Sequence, residues 1–396
     1  MISSILISGL LLPFAALWLL PCVSDLLSVI VRAVGTARPT ASAPLGPSRI
    51  AFLIPAHNES LLIEAALRSL LAQRHRHAEL AVWVIADNCT DDTAALASRA
   101  GATVLERQDP DHPGKPAAIA WALRQISLDD RDAVVIIDAD TVVDPGFADA
   151  LAAHGPLRAK AVQAWFGSSN PQESWLTRLA SLLVDVRYDG QFALKRDTGL
   201  NVVLTGNGMC LGTGLLSRGG WVADSLTEDL EMYARYTATG VRIDYAPGAR
   251  LYAQEARDLA QTATQRRRWQ AGRWNAFAGH AVPLLRSGSI GMRQRLDALA
   301  ELSFSGPVAH ASVALLLGVP LLLLGTMAGR IVGGIFLLSI VPIVGWTCWA
   351  LLRRSDRLTL IIDLLRLPFY AVWRAGLALA VLFTGRSERW ERSPRH

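Results

Sequence analysis

Apolar positions run almost unbroken through the start of the chain. Residues 2–31 carry a single charge, Asp25, and are long enough to cross about 30 Å of hydrocarbon. The pattern returns at 302–328 and 331–352, joined across Gly329-Arg330, and predicts two more spans. Between these ends, short apolar runs alternate with helix-period segments. Ile50-Ala51-Phe52-Leu53-Ile54, Ala81-Val82-Trp83-Val84-Ile85 and Ala133-Val134-Val135-Ile136-Ile137 read as buried strands. Helical spacing covers 59–73, 91–101, 116–126, 176–196, 228–240 and 257–277. Strands alternating with helices predict one α/β domain over 49–300 with a mostly parallel sheet. Residues 32–48, rich in Pro, Gly, Ala and Ser, read as the linker from the anchor at 1–31 to that domain. In 358–385 the charges Asp363, Arg366 and Arg374 interrupt an apolar pattern. An interfacial amphipathic helix with a basic tail is therefore expected over 353–396, rather than another span.

Composition sharpens this picture. The 396 residues are 51% hydrophobic with a net charge of +5. A basic excess could serve nucleic acid or a membrane surface, and its placement decides. Arg32, Arg38, Arg353, Arg354 and Arg357 flank the apolar segments, which is the positive-inside pattern and speaks against nucleic acid. No basic residue precedes the first apolar run, so it reads as an anchor rather than a secretory signal. The expectation is a multi-pass protein of the cell inner (plasma) membrane, with its α/β domain in the cytoplasm. Cys22, Cys89, Cys210 and Cys348 are scattered without metal-ligand spacing and read as reduced packing residues.

Candidate chemistry sits at the strand ends. The third strand runs into Asp138-Ala139-Asp140, and the first two into Pro55-Ala56-His57-Asn58-Glu59 and Ala86-Asp87-Asn88. In open α/β sheets ligands bind outside the carboxyl ends of parallel strands, so these ends should converge. Paired carboxylates there suit Mg²⁺ or Mn²⁺ held together with substrate phosphate oxygens. Asp140 is the first-choice metal ligand, and Asp138 contacts a ribose or the metal through water. Asp91 and Asp92 read as helix amino-terminal charges. Lys115, after Gly114, could reach a donor phosphate or stay solvated. Thr227-Glu228-Asp229 opens a helix, with Thr227 as N-cap. Gln265, Arg268 and Trp269 share one helix face through i, i+3, i+4 spacing. Arg266 and Arg267 fit a membrane-surface anchor.

In that order, PAHNE (55–59), DNCTDDT (87–93), HPGKPAAIAWAL (112–123), DAD (138–140), TED (227–229) and QRRRW (265–269) resemble the family 2 glycosyltransferases, which include cellulose, chitin and hyaluronan synthases. The resemblance covers 49–275, and the flanking spans fit the membrane-bound branch. It implies a GT-A fold, a nucleotide-sugar donor, a divalent cation and inversion at the anomeric carbon. By resemblance Asp87 reads the nucleobase, and Pro55, Ala56 and Glu59 line the same donor pocket with Lys115 and Asp138. Asp229 becomes the general base that takes the acceptor hydroxyl's proton. Arg268 grips the leaving diphosphate, and Trp269 lies under the acceptor sugar. Gly206-Asn207-Gly208 and Gly212-Thr213-Gly214 resemble the acceptor-side loop, joined by Glu228 and Gln265. The family often has a Pro-containing turn where this chain has Gln254-Glu255-Ala256-Arg257, which leaves that loop's path open.

The reading that follows is a membrane-anchored inverting glycosyltransferase. It moves a sugar from a nucleotide diphosphate, expected to be UDP, to a saccharide or lipid-linked acceptor of a cell-surface polysaccharide or glycolipid. The alternative within the class is a processive synthase that elongates and secretes a β-linked polymer. Three spans with few polar residues can hardly enclose the tunnel this needs, unless protomers associate as a homo-oligomer or biosynthetic complex. A more distant alternative is a non-enzymatic nucleotide-sensing membrane protein, which leaves TED and QRRRW unexplained.

Overall fold

A computed structural model describes residues 2–35, 48–73, 75–221 and 227–373; the side chains of 2–8, 260, 261 and 263–271 fall outside the description. Helix α1 (Ile2–Val34) is followed by β1 (Ser48–Ala56), α2 (Ile63–Leu71), β2 (Ala78–Asp87), α3 (Thr93–Arg99), β3 (Thr103–Arg107) and α4 (Lys115–Gln125). The chain continues through β4 (Ala133–Ile136), β5 (Val142–Val143), α5 (Phe147–Ala152), β6 (Ala161–Ser168) and α6 (Trp175–Val184). A π-helical turn (Asp185–Phe192) leads into α7 (Ala193–Thr198), then β7 (Met209–Gly212), α8 (Thr213–Gly219), α9 (Glu228–Ala238), β8 (Ile243–Ala253) and α10 (Leu259–Arg286). Helices α11 (Met292–Ser303), α12 (Pro307–Leu323), α13 (Met327–Leu338), α14 (Val341–Arg353) and α15 (Arg357–Leu364) complete the order.

The eight strands form one sheet in the order β3-β2-β1-β4-β7-β6-β8-β5. Four neighbouring pairs are parallel, β1 with β2, β1 with β4, β2 with β3 and β6 with β8. The first four strands are thus a parallel half-sheet. The second half is mixed, because β7 enters antiparallel between β4 and β6. Neither β5 nor β7 is visible as a periodic run in the sequence, since they are two and four residues long.

Strand alternation splits the core into two layers. Ala51 and Leu53 face one cluster with Ile119, Phe192, Tyr233 and Tyr245. Ile50, Phe52 and Ile54 face the other, with Leu67, Leu70, Phe147 and Leu151. Strand β4 is buried at all four positions, which explains why it reads as an uninterrupted Val/Ile run. Burying both faces fixes the register, because a one-residue slip would exchange the two layers. It also fixes where the sheet's carboxyl ends lie.

Helices Gly9–Val34 and Met327–Arg353 are long and apolar enough to cross a membrane, and the pair α11–α12, bent by 87°, makes up to three. The span expected at 302–328 begins only at Pro307, after this bend. Its connection to the next helix is Leu324-Gly325-Thr326, not Gly329-Arg330. Gly325 adopts φ +68°, and the Thr326 hydroxyl accepts the Gly329 N–H as the cap of α13. Gly329 cannot turn there because it lies within α13, packed against the Leu321 carbonyl. Asp363, which broke the apolar pattern, forms a buried ion pair with Arg178 of α6 at 2.6 Å. α15 therefore docks on the α/β domain while Leu358, Ile361 and Ile362 stay exposed. Most of the expected linker (36–47) and the tail beyond 373 lie outside the described residues.

Candidate active site

The strand ends do converge. Ala56 pairs with Ala86 at the ends of β1 and β2, and the Ile137 N–H reaches Leu53 at the end of β4. Pro55 and Ala56 therefore sit beside the chain that carries Asp87, with Glu59 one turn further on. The Glu59 N–H donates to the Thr93 hydroxyl at 2.8 Å. Asp91, rather than the backbone cap residue Asp92, ties this region together, accepting from Thr93 N, Thr93 Oγ1 and Ser60 N. Although partial burial works against it, these bonds hold its carboxyl down at about 2.

Asp87 is buried, and its neighbours fix its oxygens. Oδ1 accepts from Arg107 Nη1 at 2.5 Å and from Asn88 Nδ2 at 3.1 Å, while Oδ2 accepts the Gly114 N–H at 3.3 Å. Arg107 also donates to Asp109 and to the His112 carbonyl, both at 2.8 Å. One guanidinium thus ties the β2 end to the loop ahead of Lys115. Nothing in the sequence marked Arg107, because it lies in no motif and its partner is 20 residues away.

Lys115 is half-buried and paired rather than left to solvent. Its ammonium donates to Asp138 Oδ1 and to the Gly206 carbonyl, both at 2.6 Å, and lies 3.6 Å from Glu228. Burial alone would favour the neutral amine, but the surrounding carboxylates outweigh it and hold the lysine charged well above its usual range. It draws the DAD turn, the 206 loop and the head of α9 into one cluster. Gly206, at φ +78°, brings its backbone against this cluster. A side chain there would meet Asp229 Oδ2 at 3.5 Å and Lys115 Nζ at 3.8 Å.

Four residues of the expected acceptor loop serve the scaffold. Asn207 is buried; its Oδ1 accepts the Asp138 N–H at 3.2 Å and its Nδ2 donates to Thr141 Oγ1 at 2.8 Å. Thr141 in turn donates to Asp140 Oδ1 at 3.3 Å, so Asn207 sets the conformation of the acidic turn. A side chain on Gly208 would collide with Leu251 in the core. Gly212 pairs with Ala133, at the opposite end of β4 from Asp138, and Gly214 packs against Arg158. Because β7 runs antiparallel, Gly212-Thr213-Gly214 is carried away from the site, and the acceptor-loop expectation for it is corrected.

Glu228 and Asp229 sit at the head of α9. The Asp229 carboxylate accepts the Leu230 N–H at 2.8 Å. Burial raises its pKa, opposed by this bond and by Lys115 and Arg273. Burial pushes Glu228 up to about 7, with Lys115 opposing. Thr227 stands at the N-cap position of α9, and its carbonyl accepts the Glu231 N–H at 3.2 Å, but its side chain makes no capping bond. Its hydroxyl makes no hydrogen bond among the described residues, and it packs against Gly272 of α10. A Cβ at Gly272 would run into Thr227, so this glycine sets how closely the QRRRW helix approaches the TED turn. Gly272→Ala should displace that helix and lower sugar transfer about a hundredfold, the usual cost of an ångström-scale misplacement. Adding Thr227→Ala, which removes most of the clash, should restore much of it. A Gly272→Ala enzyme of native turnover refutes the contact.

Residues 265–269 lie within α10 as expected, and the positions of Gln265, Arg268 and Trp269 side chains fall outside the description. The loop left open by Gln254-Glu255-Ala256-Arg257 is anchored to Asn170, which donates to the Glu255 carbonyl at 3.1 Å and accepts its N–H at 2.8 Å.

Residues 47–272 match the family described as glycosyltransferase like family 2, and the chain belongs to it. It is 28% identical over 249 residues to a poly-beta-1,6-N-acetyl-D-glucosamine synthase of Staphylococcus aureus (strain COL), covering 59% of this chain and 55% of that protein. An N-acetylglucosaminyltransferase of Rhizobium leguminosarum bv. viciae is 31% identical over 143 residues, covering 34% of this chain and 31% of that one. The chain therefore spans about half the length, or less, of these relatives. In fold it is similar to the mannosyltransferase PcManGT from Pyrobaculum calidifontis, solved with GDP-Man and Mn²⁺, at a TM-score of 0.57 and 20% identity over 86% of this chain and 98% of that one. The fold is that of a GT-A glycosyltransferase.

Proposed function

We propose that this protein transfers N-acetylglucosamine, or a closely related sugar, from UDP to a saccharide acceptor at the cytoplasmic face of a membrane. The observation that carries this reading is the cluster of Asp138, Lys115 and Asp229 around Gly206, beside the carboxyl ends of β1, β2 and β4. It would supply an acidic turn for the donor and a buried carboxylate for the acceptor within one cluster. The relatives named for N-acetylglucosamine transfer support the sugar.

In the proposed reaction Asp229 takes the proton of an acceptor hydroxyl as its oxygen bonds to the anomeric carbon. The bond from that carbon to the diphosphate breaks on the opposite side, so configuration inverts. Asp140 would hold a divalent cation with Asp138 nearby. The donor set fits, because Asp138 and Asp140 place two carboxylates on one turn, and Mg²⁺ or Mn²⁺ on donor phosphates needs only one or two. Such a cation neutralises charge on the leaving diphosphate. Arg268 would stabilise the same group, and Trp269 with Gln265 and Glu228 would face the acceptor.

Arg32 pairs with Asp197 at 3.3 Å, and Arg354 with Asp185 at 2.9 Å. The basic ends of α1 and α14 therefore abut the α/β domain, and the positive-inside pattern supports the reading that this side faces the cytoplasm.

The arrangement at Asp87 favours uracil over guanine. Oδ1 is already engaged by Arg107 and Asn88 and Oδ2 by the Gly114 N–H, which leaves one acceptor position on Oδ2 for a base. Uracil offers the single N3–H, whereas guanine would bring two donors towards one acceptor and leave one unpaired. Purified protein should release UDP from UDP-N-acetylglucosamine, and UDP should inhibit about tenfold better than GDP. Turnover of GDP-mannose with equal inhibition by GDP would overturn the UDP assignment. Release of neither nucleotide would overturn transfer itself.

A further inference from the structure

The π-helical turn of Asp185–Phe192 touches a different element at almost every position. Asp185 accepts from Arg354, just beyond α14, at 2.9 Å. Arg187 pairs with Glu301 of α11 at 2.6 Å. Gln191 donates to Asp25 of α1 at 3.3 Å, and Trp346 of α14 donates its Nε1 to the same carboxylate oxygen at 2.9 Å. Helices α1, α11 and α14 thus close on eight residues. Turns of this kind, with i→i+5 bonding, are rare and occur frequently at functional sites.

The other side of the turn faces the reaction. Asp189 accepts from Trp165 Nε1 of β6 at 3.0 Å, and the Tyr188 hydroxyl donates to Thr205 Oγ1 at 3.1 Å. The Tyr188 ring is buried edge-on against Phe192, with centroids 4.9 Å apart. Burial pushes its hydroxyl up to about 12, so it stays protonated and remains a donor. Thr205 immediately precedes Gly206, whose carbonyl takes the Lys115 ammonium. Three bonds hold this loop. Gln163 of β6 accepts the Thr205 N–H at 3.0 Å, and Asn207 accepts the Asp138 N–H at 3.2 Å. Those two tie the loop to the sheet and to the acidic turn. Tyr188 ties it to the element that the membrane helices grip.

Gly190 leaves the opposite face of the turn no slack. A Cβ there would lie 2.9 Å from the Trp346 ring and 3.3 Å from that of Trp349. Trp346 is not free to swing away, because its indole N–H is fixed on Asp25. A shift of α14 is therefore passed to the backbone of the turn, two residues from Tyr188.

We propose that the π-helical turn passes the position of α14 to the catalytic cluster, and that Tyr188 is the positioning residue that delivers it, by holding Thr205 and so the Gly206 carbonyl against Lys115. The proposal rests on the glycosyl-transfer reading above.

UDP release from UDP-N-acetylglucosamine by the full-length protein in phospholipid provides the test. Tyr188→Phe keeps the ring and loses the hydroxyl. It should lower kcat about tenfold, the scale of one buried hydrogen bond lost, with donor KM within twofold of native. Thr205→Val breaks the same bond from its other end, and the double variant should be no slower than either single one. Gly190→Ala should lower kcat about tenfold in the native background, by misplacing the cluster, and less than twofold in Tyr188→Phe, where the relay is already cut. Where Gly190→Ala does not fold, Trp346→Phe, which releases the ring from Asp25, takes its place in the cycle. Native kcat in Tyr188→Phe, or a rise in donor KM that accounts for its loss, overturns the positioning role. A Gly190→Ala loss of equal size in both backgrounds overturns the relay. If the native protein releases no UDP, the transfer reading fails on its own. Amide hydrogen exchange of residues 205–208 then decides the relay: Tyr188→Phe should quicken it about tenfold, and unchanged exchange overturns the contact.

Discussion

Asp229→Asn is expected to leave donor binding intact and to slow transfer by roughly 10²–10⁴, the range for loss of a general base. The amide keeps the carboxylate's shape and can still accept the Leu230 N–H, so the head of α9 should hold its conformation. What is lost is the proton acceptor, placed beside Gly206 and Lys115. The pH profile offers an independent readout. Burial raises the Asp229 pKa, and the acid limb of the rate profile reports that raised value, with activity falling as pH drops through it. Burial pushes Glu228 higher, and the Asp229 charge adds to this, so Glu228 is still protonated while Asp229 titrates. Glu228→Gln keeps a neutral neighbour there, so the acid limb should stay in place. A parallel drop in donor affinity and turnover in Asp229→Asn would instead make Asp229 a donor-binding or structural residue. An acid limb that moves to lower pH in Glu228→Gln would contradict this order of titration.

How much of this was legible beforehand depended on how far each signal reached along the chain. Strands β1, β2 and β4 announced themselves because both faces are buried, which demands uninterrupted apolar runs. Asp87, Asp138 and Asp140 followed from their positions at those strand ends. The residues that arrange them were silent. Asn207 holds the acidic turn from 69 residues away, and Arg107 grips Asp87 across 20. Neither bond leaves a periodic trace in the sequence. Gly208 and Gly212 looked alike as loop glycines, and only the antiparallel course of β7 separates them, one near the DAD turn and the other at the far end of β4. The π-helical turn was equally hidden. Its Gly190 lets Trp346 of α14 come close, a contact between the α/β domain and a membrane helix that no local pattern encodes.

Asp140→Ala should abolish transfer in a protein that still folds, because the side chain sits half-buried on the solvent side of a turn whose geometry belongs to Asn207 and Thr141. Its two carboxylates are not equivalent. Asp138 is already bonded to the Lys115 ammonium at 2.6 Å, which neutralises it in part and favours a bridging role between lysine and ribose. Asp140 accepts the Thr141 hydroxyl at 3.3 Å and is the carboxylate proposed to hold the cation. Removing the ligand of a cation that offsets leaving-group charge costs several kcal/mol, on the order of a thousandfold in rate. Asp138→Asn should cost less, since Lys115 retains the Gly206 carbonyl and the nearby Glu228. Metal titration separates the two roles. The native enzyme should lose activity to EDTA and regain it with Mn²⁺, Asp138→Asn should still respond, and the residual activity of Asp140→Ala should respond to neither. Turnover above about a tenth of native in Asp140→Ala with chelator present would leave this carboxylate no part in holding a cation.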